Sequence, residues 1–185
     1  MRILMLGNSF TYENDLPGRL AGLLGAQVAH HTRGGARLAE QLNPRTRLGA
    51  RTLEALQAGG WDYVVLQEMS NGPITAPASF YRSVGELCRL ARQGGGEPVL
   101  YATWAYQAGG EALAKLGMDA GEMSRRLYEA YHRAGEENRA LVADVGERFA
   151  ALAPTQPLYA GDGIHPSPLG TQLAAETIAR VIRGR

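Results

Sequence analysis

Arg2-Ile3-Leu4-Met5-Leu6-Gly7-Asn8-Ser9-Phe10 decides how the rest of the chain is read. A short apolar run gives way at once to Gly-Asn-Ser, so a buried strand ends in a turn that presents a hydroxyl. Four more runs of this kind follow, at 27–31, 63–67, 98–103 and 141–144. Longer patterns with helical spacing lie between them. Asp15 can cap a helix reaching Gly25, with Pro17 tolerated in its first turn. Residues 45–58 place Leu48, Thr52, Ala55 and Leu56 on one side, and 80–93 form an amphipathic stretch stopped by Gly94-Gly95-Gly96. Residues 119–138 are charged on one face, and 167–182 open with a capping Ser167 and Pro168 at the first helical position. Strands alternating with helices predict a mainly parallel five-stranded sheet, and right-handed crossovers make it a three-layer α/β/α sandwich. Ligands bind such sheets at the carboxyl ends of the strands. Ser9, the loop 67–71 and the Trp104 loop all fall there.

At 185 residues and 45% apolar content, the chain reads as one domain over 1–185 with a sizeable core. A formal net charge of +1 gives no reason to expect nucleic acid or an anionic membrane as partner. The single Cys88 excludes an internal disulfide and fits a reducing compartment; on the apolar side of a helix pattern it reads as a buried, inert thiol. The first apolar run is too short for a signal peptide, and no run is long enough to span a membrane. A cytoplasmic location is the expectation.

The chemistry concentrates at the two ends. Asp162-Gly163-Ile164-His165 precedes Pro166-Ser167-Pro168 and the last helix pattern, so a carboxylate and an imidazole stand three residues apart beside a helix start. With Ser9 they complete the order Ser…Asp…His. A serine hydroxyl becomes a useful nucleophile when a base takes its proton; His165 can be that base, and Asp162 can orient the imidazole. Separately, Ser9 reads as a turn residue and Asp162-x-x-His165 as an Asx turn before a surface histidine. Together they predict a serine hydrolase.

These residues resemble the blocks of the SGNH hydrolases, the GDSL-type esterase and lipase superfamily. Gly7-Asn8-Ser9 is similar to the Gly-Asp-Ser of its first block, with Asn for Asp, and Asp162-x-x-His165 to its fifth. Residues 32–36 resemble the second block, whose glycine lends an N–H to the oxyanion hole; Gly35 is favoured over Gly34. The third block, Gly-x-Asn-Asp, is matched at Asn71, although Met69 and Gly72 replace its Gly and final Asp. Residues 61–70, 103–106 and 162–165 further resemble a bacterial SGNH branch known only as a domain of unknown function. There the third block looks like Leu-Gln-x-x-Ser, which makes Gln67 a rival to Asn71 as amide donor. The resemblance implies a flavodoxin-like sandwich and an acyl-enzyme formed on Ser9. The oxyanion would be held by the N–H groups of Ser9 and Gly35 and the amide of Asn71 or Gln67.

Trp104 could wall the substrate pocket or close the sheet edge as a core aromatic. Tyr12 and Glu13, just after Ser9, could face the pocket, but they read first as a solvated loop. Glu68, which would oppose a developing oxyanion, is expected to point away or to pair with an arginine. Adjacent strand residues point to opposite faces, so His30-His31 do not form a metal pair, and no zinc pattern, phosphate loop or dinucleotide fingerprint is present. Gly-x-Ser-x-Gly is absent around Ser9, which argues against an α/β-hydrolase elbow. No cofactor is expected. The substrate expected is a small-molecule ester; resemblance to carbohydrate-directed SGNH enzymes suggests an acetyl ester, of a sugar in particular. The competing readings are a non-catalytic ligand-binding module on the same fold and a lysophospholipase or thioesterase.

Overall fold

The computed structural model describes residues 1–184. In chain order the elements are β1 (Arg2–Gly7), α1 (Ser9–Tyr12), a 3₁₀ turn (Glu13–Asp15), α2 (Leu16–Leu24), β2 (Gln27–Thr32), α3 (Leu38–Gln41) and α4 (Arg47–Ala58). Then come β3 (Tyr63–Leu66), α5 (Gly72–Thr75), α6 (Pro77–Gln93), β4 (Glu97–Ala102), α7 (Glu111–Leu116), α8 (Ala120–Asn138), β5 (Leu141–Asp144), α9 (Val145–Leu152) and α10 (Pro168–Arg183). The five strands form one parallel sheet in the order β2-β1-β3-β4-β5. This is the flavodoxin-like order, whose topological switch point lies between β1 and β3.

Strands covered on both faces explain the continuous apolar runs. Along β1, Leu4 and Leu6 pack with Val64, Leu66 and Leu100 against α6 and α8. Ile3 and Met5 turn the other way, packing with Val65, Val99 and Tyr101 against α2, α9 and α10. Each face thus has its own core, and the sheet is the middle layer.

The helix starts follow their capping chemistry. Asp15, Asp119 and Ser167 accept from the N–H groups of Gly18, Glu122 and Gly170, as expected for side chains that take up orphan donors. The helix expected from residue 45 begins at Arg47, because the hydroxyl of Thr46 accepts from Gly49 and sets the boundary two residues later. The helix expected from residue 80 begins at Pro77, a first-turn position that suits proline. Sequence reading missed α9, which follows β5 with no intervening turn and whose flanking Asp144 makes no cap bond. Among the described residues, no helix is long and apolar enough to cross a membrane.

Candidate active site

Ser9 lies two residues beyond the end of β1, where a turn was expected, and is the first residue of α1. Asn8 caps that short helix: its Oδ1 accepts from Phe10 N at 3.1 Å, and its Nδ2 donates to the Ala36 carbonyl at 3.2 Å. The second bond ties the Ser9 turn to the 33–36 loop, in which Gly35 takes a left-handed φ of 67°. Gly7 is required by close approach, since a Cβ there would collide with Thr11 Oγ1 and Gln67 Oε1.

The fold brings Ser9, His165 and Asp162 together across 156 residues of chain. Ser9 Oγ is 3.0 Å from His165 Nε2, and His165 Nδ1 is 2.5 Å from Asp162 Oδ2. The Asp162–His165 turn is tight because Asp162 Oδ1 also accepts from the N–H groups of Ile164 and His165, both at 2.9 Å. Gly163 makes that turn with a φ of 66°. Partial burial pushes the Asp162 carboxyl up, but the His165 ring and the two N–H donors outweigh it and hold the carboxyl down at about 2. A carboxylate bonded to Nδ1 fixes that nitrogen as the donor, which leaves Nε2 to accept from the serine hydroxyl.

The two amides named as rival donors differ in what they already do. Gln67 is fully buried. Its Oε1 accepts from Asn8 N and Thr11 Oγ1, both at 2.9 Å, and its Nε2 donates to the neighbouring Glu68 carbonyl. Bonded at both ends, Gln67 holds the Ser9 turn, although one of its two amide hydrogens has no recorded acceptor. Asn71, just before α5, makes no side-chain cap bond, and its Oδ1 is buried without a partner. It lines a groove of about 740 Å³ with Tyr106, Gln107, Glu111, Lys115 and Asp162. The N–H groups of Ser9 and Gly35 have no acceptor among the described residues.

Of the two places expected for Trp104, pocket wall and core, it takes the core. It is only 1% exposed and lies stacked between Phe10 and Phe149, with centroids 4.5 and 4.0 Å away. Its Nε1 donates to the Ile164 carbonyl at 3.1 Å. Just its edge borders a separate cavity of about 500 Å³, formed with Ala105, Ala150, Pro154 and Tyr159. A large flat ring gains more by stacking in the core than by standing half-wet at a rim.

Glu68 makes no ion pair with an arginine among the described residues; its carboxylate is taken up by backbone. It is buried, and its carboxylate accepts from Leu38 N and Met69 N, tying the loop after β3 to α3. Burial pushes its carboxyl up from the ordinary range, against the pull of those two donors. His30 and His31 do diverge: His30 is exposed and bonds Thr32, whereas buried His31 bonds Thr52.

Two more residues border the site: Asn14 was not singled out from sequence, and Glu13 only as one that could face the pocket. Glu13, expected in a solvated loop, places Oε1 3.8 Å from His165 Nε2. Asn14 donates from Nδ2 to the Pro166 carbonyl and to Thr171 Oγ1, each at 3.0 Å, bracing the Ser9 turn against the histidine segment. Asn14 and Asp15 both take left-handed φ, at 51° and 57°. The Asn-Asp pair was the available signal, since these are the non-glycine residues most often found there.

The GDSL-like lipase/acylhydrolase family matches residues 5–173. The chain belongs to that family. A protein from Slackia heliotrinireducens assigned to the SGNH hydrolases is 52% identical and superposes with a TM-score of 0.94, covering 98% of each chain. A DUF4886 family protein from Bacteroides uniformis is 19% identical with a TM-score of 0.76, covering 100% of this chain and 83% of its own. The acetylxylan esterase Axe2 from Geobacillus stearothermophilus is 16% identical with a TM-score of 0.73, covering 98% and 93%. No curated protein matches significantly. As an SGNH hydrolase, this chain carries its candidate residues at the switch point, with Ser9 after β1 and Asn71 after β3.

Proposed function

We propose that this SGNH hydrolase is a serine esterase that works through an acyl-enzyme, with Ser9 as nucleophile, His165 as base and Asp162 as its orienter. The observation that carries the reading is the continuous hydrogen-bond path from Ser9 Oγ through the imidazole to Asp162. Ser9 Oγ attacks the ester carbonyl as Nε2 takes its proton. The tetrahedral intermediate collapses, and the imidazolium returns that proton to the departing alkoxide, freeing the alcohol. Water then gives a proton to Nε2 and its oxygen to the acyl carbon, and Ser9 recovers its hydrogen as the acid leaves.

Negative charge on the carbonyl oxygen would be met by the N–H groups of Ser9 and Gly35 and by the Asn71 amide. Aimed donors of this kind supply much of the rate enhancement in acyl transfer. Asn71 is chosen over Gln67 because it lines the groove, whereas Gln67 is fully buried and bonded at both ends of its amide.

The substrate proposed is a small acyl ester, an acetylated carbohydrate in particular. The groove beside Asp162 offers amide, carboxylate and ammonium groups, which suit a hydroxyl-rich ligand, and an acetylxylan esterase is among the structural relatives. A second reading, activity on longer acyl chains, is favoured by the apolar cavity bordered by Trp104, Ala150 and Pro154.

Initial rates on p-nitrophenyl acetate, butyrate and octanoate, for wild type and Ser9→Ala, test the proposal. A Ser9-dependent rate that falls with chain length is expected. A rate that rises toward octanoate would favour the longer-chain reading. Equal rates in both proteins would refute the esterase.

A further inference from the structure

Glu13 stands in the 3₁₀ turn after the nucleophile helix, and its carboxylate lies 3.8 Å from the same imidazole nitrogen that bonds Ser9. Two carboxylates therefore flank His165, Asp162 at Nδ1 and Glu13 beside Nε2. Their positions differ in kind. Asp162 is bound to the ring and to two backbone N–H groups, whereas 3.8 Å is beyond hydrogen-bond range, so Glu13 keeps its acceptor capacity.

The turn that carries Glu13 is fixed. Asn14 is bonded to Pro166 and Thr171, Asp15 caps α2, and both take left-handed backbone conformations that a mobile loop would not hold. The basic side chain one turn further on does not neutralise Glu13: Arg19 donates to the Asn14 carbonyl and to Gln172. Among the described residues, His165 is the one basic group within ion-pair range of Glu13. The Glu13 side chain is 36% exposed and His165 30%, so both are accessible to a ligand.

Acyl transfer itself dictates what comes next to this carboxylate. The proton held on Nε2 must pass to the departing oxygen, so that oxygen has to come within about 3 Å of Nε2. It then lies within ~7 Å of the Glu13 carboxylate from any direction of approach, and a hydroxyl on the adjoining carbon of the alcohol spans the remaining gap.

We infer that Glu13 selects the leaving alcohol: its carboxylate accepts a hydrogen bond from a hydroxyl next to the ester oxygen, so the site prefers monoesters of polyols and sugars and turns away anionic alcohols. The inference rests on the esterase reading and adds the residue that recognises the alcohol. Hydrogen bonds to a charged acceptor are among the stronger polar contacts, and one at a partly exposed site discriminates by about tenfold.

The test compares kcat/KM for 2-hydroxyethyl acetate and 2-methoxyethyl acetate, which differ in the donor, by pH-stat titration. Acetoxyacetate serves as the anionic alcohol ester. Wild type is expected to prefer the hydroxyethyl ester about tenfold over the methoxyethyl ester. Glu13→Ala should bring that ratio close to one and improve acetoxyacetate relative to both. Glu13→Gln, which keeps an uncharged acceptor, should retain an intermediate ratio. A merely structural role would depress all three esters together and leave the ratios alone, and that result would overturn the assignment. Ser9-dependent turnover with the same ratio in wild type and Glu13→Ala would overturn the role of Glu13 while the esterase stands. Absence of Ser9-dependent turnover on every ester would remove the esterase reading and this assignment with it.

Discussion

Trp104 lies flat on Phe10, with ring centroids 4.5 Å apart and planes 3° from parallel, so the loop after β4 is stacked directly on the residue that follows Ser9. Phe10 in turn meets the His165 ring edge-on at 5.5 Å, and the Trp104 indole N–H holds the carbonyl of Ile164, the residue before His165. One buried indole therefore supports both the serine segment and the histidine segment.

Trp104 should for that reason act through position. Trp104→Phe keeps an aromatic ring but loses the bond to Ile164, and we expect it to lower kcat with little change in KM. Trp104→Ala opens a core cavity and should cost about 3–5 kcal/mol of stability. Urea denaturation alongside steady-state kinetics separates the two effects. A pocket-wall role would instead show as a raised KM in Trp104→Phe.

Asn71 and Gln67 should respond differently to alanine. Asn71→Ala removes an amide whose Oδ1 has no partner to lose, so stability should hold while turnover falls about a hundredfold or more. Gln67→Ala leaves the Asn8 N–H and the Thr11 hydroxyl without their acceptor, and should cost about 2–4 kcal/mol of stability. Melting curves and kcat for both variants check this. An unchanged kcat in Asn71→Ala would remove it from the oxyanion hole.

Asp162→Asn should lower kcat by about 10³–10⁴-fold, because an amide can present N–H to Nδ1 and favour the wrong tautomer. Its Oδ1 can still accept from Ile164 and His165, so the turn should survive. Circular dichroism beside the kinetics verifies that the fold is kept.

His31 sets a pH dependence of stability. Burial first, then the charge of Arg51 and the neighbouring His30, lower its pKa from 6.5 to about 4. The unfolded chain therefore takes up a proton in this window that the folded chain refuses. The contribution is fully present above about pH 6.5, falls as pH drops toward 4, and levels off below that. Between pH 7 and pH 4.5 the loss from this residue is on the order of 2–3 kcal/mol. Urea unfolding at both pH values should show a smaller difference in His31→Gln than in wild type.

Much of this was legible in the chain because local chemistry and global fold agree. Strands buried on both faces give unbroken apolar runs, and Asp15, Asp119 and Ser167 mark their helices by side chains that bond within three residues. The order of Ser9, Asp162 and His165 is readable because Asp162 and His165 share one turn. What escaped depends on contacts far apart in sequence. Gln67 and Asn71 are equivalent on paper, and only the approach of Asn8 and Thr11, 59 and 56 residues away, shows which amide is taken up by the Ser9 turn. The stack of Trp104 between Phe10 and Phe149 needs three elements at once. Glu13 looks solvated until the left-handed Asn14-Asp15 turn directs it back toward His165.

The most direct test of the central claim is intact-protein mass spectrometry after exposure to a fluorophosphonate, followed by peptide mapping, in wild type, Ser9→Ala and His165→Ala. The account predicts one phosphonyl adduct, located on Ser9, absent from Ser9→Ala and formed much more slowly in His165→Ala. An adduct on another residue, or none on wild type that still hydrolyses p-nitrophenyl acetate, would contradict it.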